Sequence, residues 1–122
     1  MNSTANMNTI SIECRIIDAI KHIQANKNRT VIVCRENKVV GIISEGDILR
    51  CLLEGGDVHS SIELWLNVNF KFLRNYDERA ALSLFRQHGI TMIPVVNEDF
   101  SLNTVILLSQ LLKKLELTTE EI

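Results

Sequence analysis

Gly41-Ile42-Ile43-Ser44-Glu45-Gly46-Asp47-Ile48-Leu49-Arg50 is the stretch that decides the fold of this 122-residue chain. Its apolar beginning predicts the end of a β-strand, and the polar residues that follow predict a turn that opens a helix. Ser44 and Asp47 are three residues apart at this helix start, and Gly46 lies between them. Because the first amides of a helix lack intrahelical acceptors, the turn offers a ligand a hydroxyl, a carboxylate and free N–H groups together.

A capping box is the structural interpretation of the same residues. In a capping box, a serine hydroxyl and an acidic side chain three residues later satisfy the first amides of the helix. Ser44 and Asp47 have this spacing, and the spacing by itself favours the cap. The candidate ligand site formed by Ser44, Glu45, Gly46 and Asp47 therefore depends on the residues around it.

The longer stretch over residues 31–48 shows several features in a specific order. A β-branched strand is followed by the turn Glu36-Asn37-Lys38, a second strand that ends in Gly41-Ile42-Ile43-Ser44, and the acidic Asp47. This order resembles the CBS motif, the cystathionine-β-synthase-type repeat, whose second strand ends in Gly, two apolar residues, Ser or Thr, two variable residues and Asp. In that family the hydroxyl and the carboxylate bind the ribose and phosphate of adenine nucleotides. The resemblance implies this role for Ser44 and Asp47.

The resemblance also implies contacts from residues outside the turn. Backbone groups of Val31 and Ile32 would edge the adenine, and Ile10 would cover one of its faces. Arg50 follows the carboxylate by nearly one helical turn, so its guanidinium could reach a phosphate at the helix start. It could equally pair with Glu54, four residues further along the helix. The sequence leaves these two roles of Arg50 open.

A first helix-strand-strand-helix unit is predicted around the stretch. Apolar residues at three- and four-residue steps predict a helix over residues 11–25, capped by Ser11. Two β-branched runs on either side of the acidic turn predict an antiparallel hairpin, with strands at residues 30–34 and 39–43. The helix after Ser44 is predicted to end at Gly55-Gly56.

A second unit follows in the same order. It is predicted to contain a helix from Asn75 to Gly89, strands at residues 92–96 and 103–108, and a helix at residues 109–115. Pairing Val33 with Val95, an offset of 62 residues, also places Ile23 on Phe85 and indicates an internal duplication.

With the resemblance, these elements predict an α+β fold of two pseudo-symmetric helix-strand-strand-helix CBS repeats packed as a CBS pair. The first repeat would cover residues 9–56, and the connector and second repeat would cover residues 57–117.

The second unit keeps the strand of the motif but not its ligand signature. The run Gly89-Ile90-Thr91-Met92-Ile93-Pro94-Val95-Val96 resembles the approach to the Pro-Val strand of a CBS motif. Thr104, Leu107 and Gln110 stand where the first unit has Gly41, Ser44 and Asp47. Because leucine cannot hydrogen-bond a ribose and glutamine lacks the carboxylate, the sequence speaks against a second nucleotide site of the usual kind.

Composition argues against several other functions. The formal net charge is −2, and basic and acidic residues are interspersed, so the chain has no positive electrostatic field that would hold nucleic acid or an anionic membrane. No apolar run approaches the roughly 18 residues of a membrane span, and the polar residues 1–9, expected to be a frayed leader, lack a signal-peptide pattern. The three cysteines and three histidines have no disulfide or metal spacing. These features predict reduced thiols, no metal site and a cytoplasmic protein.

A regulatory module is the function that the resemblance implies. It would bind an adenine nucleotide, with AMP, ADP and ATP as candidates, at the first repeat and signal to a partner or fused domain. No prosthetic group and no catalysis are expected, because the sequence offers no nucleophile with a base and no paired carboxylates. The alternative is a CBS-fold dimerisation module that has lost ligand binding.

The resemblance also implies partners. CBS pairs commonly dimerise through their helices, so a homodimer is expected. Residues 41–50 together with Ser61-Ile62-Glu63-Leu64-Trp65-Leu66-Asn67 are similar to the CBS pair that precedes a sugar-phosphate nucleotidyltransferase domain in some bacterial proteins. Such a domain, or another effector domain, is the implied recipient of the signal.

Overall fold

The computed structural model describes residues 7–120, with side chains as far as residue 115. Within this part of the chain there are five strands, four α-helices and one 3₁₀ turn. In chain order they are β1 Thr9–Ser11, α1 Ile16–Asn26, β2 Thr30–Arg35, β3 Lys38–Ser44, α2 Glu45–Leu53, the 3₁₀ turn Ile62–Leu64, α3 Glu78–His88, β4 Met92–Val96, β5 Leu102–Leu107 and α4 Leu108–Glu120.

The strands form two small sheets. In the first, β2 pairs antiparallel with β3 and parallel with β1, in the order β1-β2-β3. In the second, β4 pairs antiparallel with β5. The middle of β2, Val31 to Val33, and all five residues of β4 are buried, which is why both strands read in the sequence as continuous apolar runs without alternation.

The two halves repeat each other closely. Helices α1 and α3 are both 11 residues long and start 62 residues apart. Each ends in a left-handed residue, Lys27 at φ 58° and Gly89 at φ 63°, again 62 residues apart. The hairpins share an irregularity at the same place, between Val33 and Cys34 and between Val95 and Val96. The predicted α+β fold of two helix-strand-strand-helix repeats is confirmed.

The beginning of the first repeat differs from the prediction. Ser11 does not cap a helix; it ends β1, and α1 begins only at Ile16, where the Asp18 carboxylate accepts a hydrogen bond from Arg15 N at 2.9 Å. The prediction was wrong because Ile12 faces the same core as the helix and so continues its apolar spacing. A three-residue parallel strand such as β1 is too short to show its own period.

The predicted frayed leader is wrong for its last residues. Asn8 is buried, and its carbonyl accepts a hydrogen bond from Ile32 N at 2.7 Å, while Thr9 starts β1. Residues 1–6 of this prediction lie outside the described residues.

The second repeat needs smaller corrections. Helix α3 is capped by Asp77, whose side chain accepts a hydrogen bond from Ala80 N at 3.0 Å, and not by Asn75. Strand β5 and helix α4 each begin one residue earlier than predicted, and α4 continues to Glu120. The starts of α2 and α4, at Glu45 and Leu108, are 63 residues apart, one more than the helices α1 and α3.

Gly41 allows the connector, the segment between the end of α2 and the start of α3, to cross β3. A Cβ at this position would run into the Leu66 side chain and lie 2.9 Å from the Asn67 carbonyl oxygen. Ile42 and Asn67 exchange both backbone hydrogen bonds, at 3.0 and 2.7 Å. The glycine therefore fixes the connector beside the strand that leads to Ser44.

The thiols are free, and none of the helices between residues 7 and 120 has the length and apolar composition of a membrane span. Cys51 is buried in the core of the first repeat, whereas Cys14 and Cys34 are partly buried. Desolvation by burial raises the pKa of both partly buried thiols, which keeps them in the protonated form at neutral pH.

Candidate functional site

A cavity of about 500 Å³ lies between the two repeats, at the start of α2. Four parts of the chain line it: residues 28–30 at the start of β2, residues 42 and 44–47 at the end of β3 and the start of α2, connector residues 67 and 69–71, and residues 88–92 before and within β4. The cavity is therefore built from both repeats and from the segment that joins them.

Ser44 and Asp47 form the capping box that their spacing predicts. Asp47 N donates to Ser44 Oγ at 3.3 Å, and Asp47 Oδ2 accepts from Ser44 N and from Ser44 Oγ, both at 2.9 Å. On the other carboxylate oxygen, Oδ1 accepts from Arg50 at 3.4 Å. A carboxylate offers about four acceptor positions, so Asp47 can accept one more hydrogen bond while it caps the helix.

The amide of Gly46 is open to the cavity. Glu45 N donates to the Arg29 carbonyl at 3.0 Å, and Asp47 N is used in the capping box. Among residues 7–120 the Gly46 N–H, at the second position of the helix, has no acceptor. Gly46 is exposed, and a Cβ there would meet only Ser44 Oγ, at 3.6 Å. Packing of the fold therefore does not require this glycine.

Charged side chains around the cavity largely balance. Arg29 Nε lies 2.9 Å from Glu45 Oε1, with 80% and 55% of their side chains exposed, so the pair adds little to stability. Lys71 is exposed and has no ion pair among the described residues. Its ammonium is the cation at this cavity that remains free to meet an anionic group.

Phe70 gives the cavity an aromatic side. Its ring is partly buried and lies 5.7 Å, centroid to centroid, from the ring of Phe72. Sequence reasoning missed both Phe70 and Lys71, because neither belongs to a motif and the path of the connector could not be predicted. The only sign of these two site residues in the sequence was an aromatic residue next to a lysine.

A hydrogen bond between the repeats holds one wall of the cavity. Thr91 Oγ1 donates to the Asn28 carbonyl at 2.9 Å, and Thr30 Oγ1 donates to the Ile43 carbonyl at 3.0 Å. Asn26 Nδ2 adds a bond to the Thr30 carbonyl at 3.0 Å. The loop before β2 is thus fixed to both its own hairpin and the second repeat.

The other residues named from the resemblance lie elsewhere. Val31 and Ile32 are fully buried in β2, and Ile10 is buried in β1 opposite Val33, so none of the three lines the cavity. Arg50 lies on the surface of α2, outside the lining. The structure brings together Ser44, Glu45, Gly46 and Asp47, and leaves Ile10, Val31, Ile32 and Arg50 outside.

The equivalent turn of the second repeat is built differently. Leu107 is buried and pairs with Met92 across the hairpin, and Gln110 is exposed on α4. Neither residue lines the cavity. The second repeat contributes to it instead through residues 88–92, at the start of its own β4.

Comparison with known proteins agrees with the fold. Residues 3–54 match the family model described as CBS domain. A CBS domain protein from Pyrobaculum aerophilum, solved in complex with AMP, superposes with a TM-score of 0.71 and 21% identity over 95% of this chain and 98% of that one. A CBS domain pair/ACT domain protein from Thermotoga maritima gives a TM-score of 0.75 and 21% identity over 94% and 93% of the two chains.

A longer relative is also known by sequence. An uncharacterized protein of Helicobacter pylori is 27% identical over 113 residues, which are 90% of this chain and 34% of that protein. The chain thus spans about a third of the length of the curated relatives that it matches. Residues 3–54 of this chain are thus similar to the CBS domain family, and the chain as a whole has the fold of solved CBS domain pairs.

Proposed function

We propose that the chain is a regulatory module that binds an adenine nucleotide in the cavity beside Ser44 and Asp47 and signals to a fused or partner domain. The observation that carries the proposal is the convergence of the capped start of α2, the connector and the second repeat on one cavity of about 500 Å³. Ligand sites of such a size commonly combine an apolar lining with a few convergent polar groups. The AMP complex of the P. aerophilum protein, which has the same fold, supports the choice of ligand.

The polar groups at the cavity suit the parts of a nucleotide. Asp47 Oδ1 has room to accept a hydrogen bond from a ribose hydroxyl, and the Gly46 N–H can donate to a ligand oxygen. Lys71 offers a cation to phosphate, and the Phe70 ring offers an apolar face to the base. Binding at this one site needs neither a prosthetic group nor catalysis.

The recipient of the signal is proposed from the longer relatives. About two thirds of the H. pylori protein lies outside the part that matches this chain, which leaves room for a further domain there. An effector domain, of the sugar-phosphate nucleotidyltransferase type or another, remains the proposed recipient. The setting proposed for this signalling is the cytoplasm.

A dimerisation module without a ligand is the second candidate function. Leu49 and Leu52 on α2 are exposed, and so are Leu112 and Leu115, which occupy the same positions of α4, 63 residues later. Two related apolar faces on one chain suit a two-fold interface with a second copy. A homodimer is proposed in both cases; only the nucleotide distinguishes the two functions.

Calorimetric titration of the purified chain tests the proposed function. AMP, ADP and ATP are titrated in turn, with adenosine as the ligand that lacks phosphate and GMP as the control for the base. We expect one site per chain, and weaker binding of adenosine than of AMP because Lys71 then has no anion to meet. Absence of heat and of any thermal stabilisation with all three adenine nucleotides would favour the dimerisation module.

A further inference from the structure

Arg50 joins the cavity to the connector between the repeats. Its guanidinium donates to Asp47 Oδ1 at 3.4 Å and to the Trp65 carbonyl at 3.1 Å. It also lies over the Trp65 ring, 5.2 Å from the centroid, within the range of a cation–π contact. Glu54, one of the two alternatives that the sequence left open, is further away, at 3.9 Å. The contact of Arg50 with Trp65 of the connector is thus shorter than its contact with Glu54 of its own helix.

Trp65 is well placed to respond to a change in this contact. It follows the 3₁₀ turn Ile62–Leu64 directly and packs, partly buried, against the core of the first repeat. The next two residues carry the connector across Gly41 to the cavity. A shift of the tryptophan therefore acts on the segment that links the two repeats.

The two oxygens of Asp47 have different partners. Oδ2 is occupied by two hydrogen bonds from Ser44, both at 2.9 Å, whereas Oδ1 has only the longer bond from Arg50. A ligand hydroxyl at Asp47 must use Oδ1, and it must share that oxygen with Arg50. Occupancy of the cavity and the position of Arg50 are therefore linked through one atom.

The second repeat has no equivalent of this contact. At the positions of Asp47 and Arg50 it has Gln110 and Lys113, which cannot form an ion pair. The link exists only at the repeat whose helix start lines the cavity.

We propose that Arg50 is a positioning residue that couples occupancy of Asp47 to the connector through Trp65. The proposal rests on the nucleotide site proposed above. Ligand binding weakens the hydrogen bond between Arg50 and Asp47 Oδ1. The guanidinium then shifts over the Trp65 ring, and the position of Trp65 in the connector changes with it. Arg50 also offsets the charge of Asp47, which favours ligands that carry phosphate.

The test uses Trp65 as a reporter, because it is the only tryptophan of the chain. Emission of Trp65 is followed while AMP is added to the wild-type chain, to Arg50→Met, and to Lys113→Met as the control at the same position of α4. Calorimetry measures AMP affinity separately in each protein. Arg50→Lys, which keeps the charge and part of the cation–π contact, tests for rescue.

We expect AMP to change the Trp65 emission in the wild-type chain and in Lys113→Met. In Arg50→Met the change should fall to less than about half, and AMP affinity should fall by about fivefold, because a charge near the ligand is lost. Arg50→Lys should recover part of both effects. Acrylamide quenching of Trp65 in the ligand-free chain should rise in Arg50→Met and stay unchanged in Lys113→Met.

Two results would overturn the inference in different ways. If calorimetry shows AMP binding but Trp65 emission does not change, or changes equally in Arg50→Met, the coupling is wrong and the nucleotide site stands. If the wild-type chain binds no adenine nucleotide, the proposed function fails and the coupling fails with it.

Discussion

Two glycines of the first repeat have opposite roles although they are five residues apart. Gly41 is buried where the connector crosses β3, and any Cβ there meets the Asn67 carbonyl oxygen within 2.9 Å. Gly46 is exposed at the start of α2, and a Cβ there finds ordinary space. The fold needs the first glycine, whereas only a ligand at the cavity would need the second.

Alanine substitutions at the two positions separate these roles. Gly46→Ala should leave the melting temperature unchanged or raise it, because alanine favours a helix by up to about 1 kcal/mol over glycine. Its methyl group would stand in the cavity and lower AMP affinity by roughly tenfold. Gly41→Ala should lower stability by about 1–3 kcal/mol through overpacking. Differential scanning calorimetry measures the stability of the two variants, and AMP titration measures their affinity. Equal destabilisation by the two substitutions would contradict this assignment.

At the scale of helices and strands, an exposed ion pair joins the two helices of the second repeat. Lys114 Nζ on α4 lies 2.8 Å from Glu78 Oε2 on α3, and Tyr76 donates its hydroxyl to the same oxygen at 2.7 Å. The hydrogen bonds from Lys114 and Tyr76 lower the pKa of the Glu78 carboxyl below its ordinary value. The stabilisation is therefore present above the pKa of the unfolded chain and is lost as pH falls through the lower, folded pKa.

Glu78→Gln tests this pair through its pH dependence. At pH 7 the substitution should lower the melting temperature by a small amount, because a charge pair and its hydrogen bonds are weakened. As pH falls through the lowered, folded pKa of Glu78, the glutamate becomes protonated in the folded chain as well, so the difference in melting temperature between the two proteins should disappear. Glu98→Gln, in the exposed turn after β4, is the control. A difference that persists unchanged at low pH would refute the electrostatic account.

Most elements could be predicted from the sequence because their patterns are local. The bounds of β4 were predicted as observed, and Gly89 closes α3 in the left-handed conformation that its position indicated. Strand β1 could not be predicted, because its partner β2 is some 20 residues away and its three residues show no period. The spacing of Ser44 and Asp47 predicted the capping box that the structure has, and the resemblance suggested their ligand role, whereas Phe70 and Lys71 reach the cavity only through the tertiary path of the connector.

At the scale of the whole molecule, two similar repeats carry different surfaces. The helix starts have diverged, and only α2 presents a capped turn to the cavity. The outer faces of α2 and α4 have kept exposed leucines at equivalent positions. Both repeats thus have an apolar helix face, whereas only the first has a polar turn at the cavity.

The retained leucines predict a homodimer. Light scattering at micromolar concentration should give twice the chain mass of 13.9 kDa for the wild-type protein. Leu49→Glu should shift the equilibrium to the monomer, because a charge would be buried in the interface. Leu64→Glu, at a position that is 83% exposed on the connector and outside the two helices, should remain dimeric. A wild-type protein that scatters as a single chain would remove this prediction.

Asp47 provides the most direct test of the central claim, because a cap and a ligand contact differ in what they lose. Asp47→Asn is compared with Asp18→Asn, since Asp18 has the same position in α1, accepts from Arg15 N at 2.9 Å and does not line the cavity. Both substitutions should cost at most about 1 kcal/mol of stability. Calorimetry with AMP should show a loss of about ten- to a hundredfold in affinity for Asp47→Asn and no loss for Asp18→Asn. Unchanged AMP affinity in Asp47→Asn, with the same drop in melting temperature as Asp18→Asn, would show that Asp47 is a helix cap and that the nucleotide site is wrongly assigned.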